Sequence, residues 1–189
     1  VNHIPGETAA VSNGDIPLKF TADIHEVTYT RVAGNGFEEN DEVGVFALVG
    51  SSTMKEERYA DNLRFFRTSE KVFESSEPIY YPDDEVTLRL ISYYPYQEEG
   101  VNMGESTMSV AVETDQNLSA GYFCSDFLVA SQNLQSAPKG AIALHYDHKF
   151  FKLKIALVGK EGEELQGILD ADPKLSVCGF YTKAIYDFQ

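Results

Sequence analysis

The feature that most constrains the fold is a stretch near the N-terminus, residues 16–25, in which large apolar side chains occupy every second position. These positions are Ile16, Leu18, Phe20, Ala22 and Ile24. An extended chain places alternate side chains on opposite faces, so this stretch would have one fully apolar face. A helical period would scatter the same side chains around the circumference, and Pro17 disfavours a helix. The stretch is therefore predicted to be a half-buried β-strand.

The segment after this strand contains Arg31 between residues 26 and 36, where Gly34 and Gly36 indicate a flexible loop that proteases can reach. Two interpretations follow for the strand. It is either an ordinary first strand followed by an ordinary loop arginine, or a strand that cleavage at Arg31 would free from the rest of the chain.

The length of the chain indicates one domain, and its net charge excludes some classes of partner. The chain has 189 residues and a formal net charge of -15, which repels nucleic acid backbones and anionic membrane surfaces. Nucleic acid is therefore not an expected partner. Residues 1–15 contain neither the basic nor the apolar segment of a signal peptide, so we expect that the chain has already been trimmed. We expect residues 1–15 to form a disordered or extended N-terminal leader and residues 16–189 to form one domain.

Most of the remaining chain consists of short alternating segments separated by turn residues. Strands are predicted at residues 42–49, 63–67, 71–74, 86–94, 106–113, 141–146, 150–158, 164–169 and 175–181, the last one extending to 186 in one interpretation. Residues 119–130 are ambiguous, with a short helical turn around 125–130 as one interpretation. In the strand at 150–158, Phe151, Leu153, Ile155 and Leu157 are expected to face inward. This pattern predicts an all-β fold, a β-sandwich with Greek-key-like connections and little helix.

The two cysteines, Cys124 and Cys178, are too far apart in sequence for a CxxC motif. They could form a disulfide or remain two separate thiols. We favour two buried thiols, because free cysteine is among the most buried residue types.

The sequence contains no recognisable catalytic or metal-binding motif. His145 and His148 are three apart, which on a strand places them on opposite faces. The acidic run 83–85 lacks the calcium-loop pattern, and Ser125 lacks a nucleophile elbow. We therefore expect no enzyme activity, no cofactor and no metal.

Eleven tyrosines offer a different chemistry. The clustered ones are Tyr80, Tyr81, Tyr93, Tyr94 and Tyr96. They could stack on sugars as ligand-contact aromatics, or cap the core with their hydroxyl groups in water.

Several landmarks together resemble the fimbrillin, or Mfa-like, family of type V pilus subunits of Bacteroidia. They are, in order, IPLKFTADI at 16–24, Thr30-Arg31, Phe37, the run 41–46, Asn62, the run 79–82, the run 92–96, Asp115-Gln116, the run 125–130 and His148 before the run 151–153.

The resemblance implies a transthyretin-like β-sandwich, usually followed by a second domain that we do not expect within these residues. It implies export as a lipoprotein whose signal is removed, a membrane link only through that lipid anchor, and assembly into fimbriae at the cell surface of the outer membrane. It also implies cleavage after an arginine in the loop after the first strand, a position that Arg31 matches. A neighbouring subunit's strand then replaces the first strand in a head-to-tail polymer.

Two functions are therefore predicted. The first is a non-enzymatic pilus subunit or accessory subunit that assembles by donor-strand exchange. The alternative is a surface adhesin whose tyrosines contact a host glycan or protein, for example at a pilus tip.

Overall fold

The computed structural model describes residues 16–25, 36–82, 86–116, 124–151, 153, 155, 158, 165–170 and 176–189. Its strands are Phe20–Ile24 (β1), Glu42–Val49 (β2), Ala60–Arg67 (β3), Phe73–Ser75 (β4), Leu88–Tyr94 (β5), Thr107–Ala111 (β6), Leu128–Leu134 (β7), Ile142–His148 (β8) and Lys183–Asp187 (β9). One short helix, Leu165–Asp170 (α1), completes the elements of this part of the chain. The predicted all-β class is confirmed.

Seven of these strands form a closed, barrel-like sheet in the order β1-β4-β3-β2-β5-β7-β8. The pairing is antiparallel except between β1 and β8, which run parallel and close the sheet. The order β1-β4-β3-β2 places the three consecutive antiparallel strands β2, β3 and β4 beside β1, which precedes them in the chain and lies next to the last of the three, as in a Greek key. The seven strands thus surround one interior, and β6 pairs with β9 in a separate two-stranded ribbon.

Two apolar clusters lie on opposite faces of the barrel wall. The inner cluster contains buried side chains from all seven barrel strands, among them Phe20, Val45, Phe65, Phe73, Leu90, Leu128 and Leu144. The outer cluster joins the outer face of β2, β5 and β7 to the ribbon, through Phe46, Ile91, Tyr93, Val129, Met108, Val110 and Phe188. Both faces of β2 are therefore covered, because its alternate residues contribute to the two clusters in turn.

Several predicted elements are corrected in the second half of the chain. Among its described residues, the segment 150–158 contains no strand, and Phe151, Leu153 and Ile155 are exposed rather than inward; Leu157 lies outside the described residues. Residues 165–170 form α1 instead of a strand, because Leu165, Ile168 and Leu169 follow a helical spacing. Strand β7 begins at Leu128, so the helical interpretation of 125–130 fails there.

The end of the chain also differs from the prediction. Residues 176–181 are exposed and outside any strand, and the last strand is Lys183–Asp187. Both cysteines are free, as favoured, but Cys124 and Cys178 are exposed, so their predicted burial is wrong. They lie outside both apolar clusters, and low polarity alone does not bury a small side chain.

No helix within the described ranges has the length and apolar character needed to cross a membrane.

Candidate functional site

The candidate site is the position of β1 in the barrel wall. On one side β1 pairs in parallel with β8 over five residue pairs, from Phe20 with Ile142 to Ile24 with Tyr146. Two further backbone bonds extend this ladder: Ile142 N donates to Lys19 O at 2.8 Å, and His25 N donates to Tyr146 O at 2.9 Å. The β8 side therefore supplies most of the backbone hydrogen bonding of β1.

The other side of β1 is held more loosely. Phe20 pairs with Phe73 of β4, a single residue pair. Towards the N-terminus, Leu18 N donates to Ile79 O at 2.8 Å, and Tyr81 N donates to Ile16 O at 3.1 Å. We call the space that residues 16–25 occupy, between β8 on one side and β4 with residues 79–81 on the other, the β1 groove. Among the described strands, only β1 joins β4 to β8.

The predicted alternation of β1 is found in its burial. Leu18 and Phe20 are buried, Ile16, Ala22 and Ile24 are half-buried, and Lys19 and Asp23 are exposed. Leu18 and Phe20 belong to the inner cluster, and Ala22 and Ile24 pack against it. The apolar face of the strand therefore fills part of the barrel interior.

Phe20 is the deepest side chain of β1, with 1% of its surface exposed. Its ring stacks on Phe73 at 5.0 Å between centroids and lies against Phe65 at 5.1 Å. Phe37 meets Phe73 edge-on at 5.2 Å and Tyr146 at 5.0 Å. A strand that occupies the groove therefore completes a cluster of aromatic rings.

The lining aromatics were not predicted as site residues. Tyr146 is two residues after Leu144 on the inward face of β8, so alternation alone could have placed it there. The contacts of Phe65 and Phe73 with Phe20 could not be predicted, because they join segments about fifty residues apart. Tyr146 is fully buried and donates to Ser92 Oγ at 2.6 Å, and Ser92 Oγ in turn donates to Gly44 O at 3.0 Å. Burial raises the pKa of Tyr146, so its hydroxyl stays protonated as a donor.

The two residues that flank β1, Lys19 and His25, form exposed ion pairs. Lys19 Nζ lies 2.6 Å from Glu74 Oε1, and His25 Nδ1 lies 2.8 Å from Asp147 Oδ1. The hydrogen bond from His25 lowers the pKa of Asp147. The rings of His25 and His145 also stack at 5.5 Å. Exposed pairs contribute little to stability, so backbone bonds and apolar burial hold β1 in place.

The five tyrosines singled out in the sequence are not brought together. Tyr81 and Tyr93 are buried, with 1% and 0% exposure, which corrects their assignment as ligand contacts because their rings face protein neighbours. Their hydroxyls donate inside the protein, to Val86 O at 3.0 Å and Asn62 Oδ1 at 2.7 Å. Tyr94 and Tyr96 are half-buried, and Tyr80 is exposed.

The remaining candidates either lie outside the described residues or are not brought together by the structure. Arg31 and residues 1–15 lie outside the described residues. His148 is paired with Asp126 at 2.7 Å, whereas His145 stacks on His25. No group of three metal-ligating side chains occurs among the residues that the structure describes.

The chain is similar to one known protein family. A family model described as fimbrillin-like matches residues 30–189. A search of the curated proteins returned no match.

Solved structures with similarity to this chain include two candidate cell adhesion proteins, from Bacteroides ovatus ATCC 8483 and Bacteroides uniformis ATCC 8492. They are 18% and 19% identical, each with a TM-score of 0.48 over 70% of this chain and over 52% and 47% of theirs. A fimbrial protein from Bacteroides ovatus ATCC 8483 is 21% identical, with a TM-score of 0.41 over 73% of this chain and 28% of its own. The chain thus spans about half the length of the first two proteins and less than a third of the fimbrial protein.

Proposed function

This chain belongs to the fimbrillin-like family, and from that premise we propose that it is a structural, non-enzymatic subunit of a cell-surface pilus. Its partners are other pilus subunits. Each subunit accepts a neighbour's strand in the β1 groove after its own β1 is released. The precursor is an exported lipoprotein whose anchor is removed, and the mature protein is part of a fimbrium at the outer membrane.

The observation that carries this proposal is the position of β1 between β4 and β8. Strand β1 is the element through which the barrel closes, and it is joined to β4 by one residue pair only. Its loss would leave the edges of β4 and β8 open, and an open strand edge is a template for pairing with another chain. An incoming strand would restore backbone bonds and core packing together, which is β-strand addition.

The energetics favour replacement over an empty groove. Leu18 and Phe20 are buried and two further apolar side chains of β1 pack on the inner cluster. At ~1.5 to 3 kcal/mol for each large buried side chain, loss of the strand costs on the order of 5 kcal/mol or more. That is a large part of a typical domain stability of ~5 to 15 kcal/mol. A cut chain with an empty groove is therefore unstable, and a strand with the same alternation stabilises it.

Cleavage at Arg31 would provide the release. The other arginines are Arg58, Arg64 and Arg67, in or next to β3, and Arg89 in β5. Backbone inside a paired strand is a poor protease substrate. Limited digestion of the native chain should therefore cut first at Arg31. A subunit that accepts a strand at one place and gives one at another makes a head-to-tail contact, which grows into a polymer.

The test is uptake of a labelled peptide with the sequence of residues 16–25. The native chain is cut with an arginine-specific protease and mixed with the peptide, and bound label is followed by size exclusion. We expect uptake by the cut chain and none by the uncut chain. The variant Arg31→Lys, which keeps the charge but resists the protease, should take up no label.

A second peptide in which Asp replaces Phe at the position of Phe20 is the specificity control, and it should not bind. If the cut chain is stably folded and takes up neither peptide, the strand-exchange proposal is wrong. If it takes up both equally, the β1 groove does not select the strand by its apolar face.

A further inference from the structure

A second groove lies beside β3, where the β3–β4 ladder ends. The ladder covers only Phe65 to Arg67 of β3. Beyond Ser75 the chain leaves β3, because residues 79–81 bond to residues 16–18 instead. Pro78, which has no N–H, cannot continue the ladder. The first half of β3 and residues 77–80 therefore diverge and leave a groove of about 410 Å³ between them.

Two exposed tyrosines line this groove, Tyr59 at 44% exposure and Tyr80 at 41%. The Tyr59 ring is held against the backbone of Tyr80, because Tyr59 Oη donates to Tyr80 O at 2.8 Å. The backbone of Tyr59 is also fixed, since its N–H donates to Ala47 O at 2.9 Å. A large exposed ring that is held in place, such as that of Tyr59, provides apolar surface at a low cost in conformational entropy.

Two carboxylates line the same groove, Asp61 and Glu77. Arg58, whose side chain is fully buried, pairs with Oδ1 of Asp61 and so holds that carboxylate in position. Oδ2 of Asp61 takes no hydrogen bond from the described residues, and Glu77 makes no ion pair with them. No lysine or arginine is among the described residues that line the groove. Its polar groups are therefore mainly hydrogen-bond acceptors with negative charge.

From these contacts we infer that the Tyr59–Tyr80 groove is a binding site for neutral saccharides. A sugar ring has an apolar face of C–H groups that packs on an aromatic ring, and hydroxyl groups around its edge that donate to carboxylates. The volume is within the range of roughly 300 to 1,000 Å³ typical of small-ligand sites. Anionic sugars are disfavoured, because Asp61 and Glu77 repel a negative group on a protein whose net charge is already -15.

The test is a titration of the whole chain, followed by NMR, with lactose, mannotriose and chitotriose, and with 3′-sialyllactose as the anionic partner of lactose. We expect at least one neutral saccharide to bind with a millimolar dissociation constant and to shift the signals of Tyr59 and Tyr80. If lactose binds, sialyllactose should bind more weakly. Absence of any shift with the three neutral sugars overturns the inference, and so does stronger binding of sialyllactose than of lactose.

Variants locate the site. Tyr80→Ala should weaken binding about tenfold, because it removes a stacking face. Tyr181→Ala is the matched control, since Tyr181 is 98% exposed and does not line the groove. Circular dichroism checks that both variants fold. Equal loss of binding in the two variants, or none in Tyr80→Ala, overturns the assignment to this groove. Residues 79 and 80 border both grooves, so strand exchange at the β1 groove is tested separately, by uptake of the 16–25 peptide.

Discussion

Single side chains show how unequally the two faces of β1 contribute to stability. Phe20 is buried between Phe73 and Phe65, whereas its neighbour Lys19 is exposed and reaches Glu74 across the surface. The two residues are adjacent in the chain, and their side chains lie on opposite faces of it. They therefore form a matched pair for mutation.

We expect Phe20→Ala to lower the free energy of unfolding by about 3 to 5 kcal/mol, because it leaves a cavity beside two aromatic rings. Lys19→Ala should lower it by less than about 1 kcal/mol, since the lost ion pair is exposed. Urea unfolding of both variants measures the difference. Similar losses in the two would contradict the assignment of the inward face of β1.

Two aspartates should give opposite pH dependence. The hydrogen bond from His25 lowers the pKa of Asp147 from its ordinary value of 3.8, so the stability that Asp147 contributes is present above that pH and is lost as the pH falls through the lowered value. Burial is the main cause that raises the pKa of Asp41. Its contribution is therefore present below pH 3.8 and is lost as the pH rises through the raised value.

The measurement compares the wild type with Asp147→Asn and with Asp41→Asn between about pH 2 and pH 6. As the pH rises, the wild type should gain stability relative to Asp147→Asn and lose stability relative to Asp41→Asn. The Asp147 effect should be small, because its pair with His25 is exposed to solvent. Changes of the same sign in both comparisons would show that one of the two assignments is wrong.

At the scale of elements, the side chain of Arg58 links segments that are far apart in the sequence. Its buried guanidinium donates to the carbonyl oxygens of Met54, Val101, Asn102 and Glu105 at 2.7 to 3.0 Å, pairs with Asp61, and lies 5.2 Å from the centre of the Phe46 ring. Only a planar group with five donors can bond to that many acceptors at once. The segments before β3 and before β6 are held against each other by this one residue.

Arg58→Lys should therefore destabilise the protein by about 3 kcal/mol, because a lysine leaves several of these acceptors without a partner. Arg64→Lys is the control. The Arg64 side chain is exposed and forms a single long ion pair, 3.7 Å from Glu42, so this substitution should have almost no effect on stability. Thermal unfolding compares the two. A silent Arg58→Lys would mean that the carbonyls find water instead.

At the scale of the whole molecule, the net charge of -15 acts on every residue at once. A charge that far from zero keeps the protein in solution and disfavours the compact state through self-repulsion. Added salt reduces this repulsion, because the screening length falls from ~30 Å at ~0.01 M to ~3 Å at ~1 M.

We therefore expect the melting temperature to rise with sodium chloride over that range of concentrations. Lys19→Ala, which removes one of 15 basic groups, should respond slightly more steeply than the wild type. A melting temperature that falls with salt would mean that exposed pairs such as Lys19–Glu74 outweigh the overall repulsion.

Part of the β1 groove could be predicted from the sequence. The strand and its inward face were predicted correctly, because alternation follows from the geometry of an extended chain and needs no knowledge of the neighbours. The different exposure of Tyr80 and Tyr81 could not be predicted from the sequence. They are adjacent and identical in type, yet one is exposed and the other buried, and only the pairing of residues 79–81 with residues 16–18 decides which is which.

Residues 150–158 also show that an alternating pattern does not determine which side chains are buried. Residues 150–158 alternate as well as β1 does, yet Phe151 and Ile155 are exposed. An apolar face is buried only where another element covers it.

The sequence by itself determined the all-β class and the inward side chains of β1, because both depend on contacts within a few residues. The tertiary structure alone decided that β1 lies between β4 and β8, that Phe20 packs on Phe73 and that Tyr59 lies beside Tyr80. The physical reason is that strand neighbours are chosen by packing between segments 20 to 120 residues apart, roughly, which a local pattern does not encode.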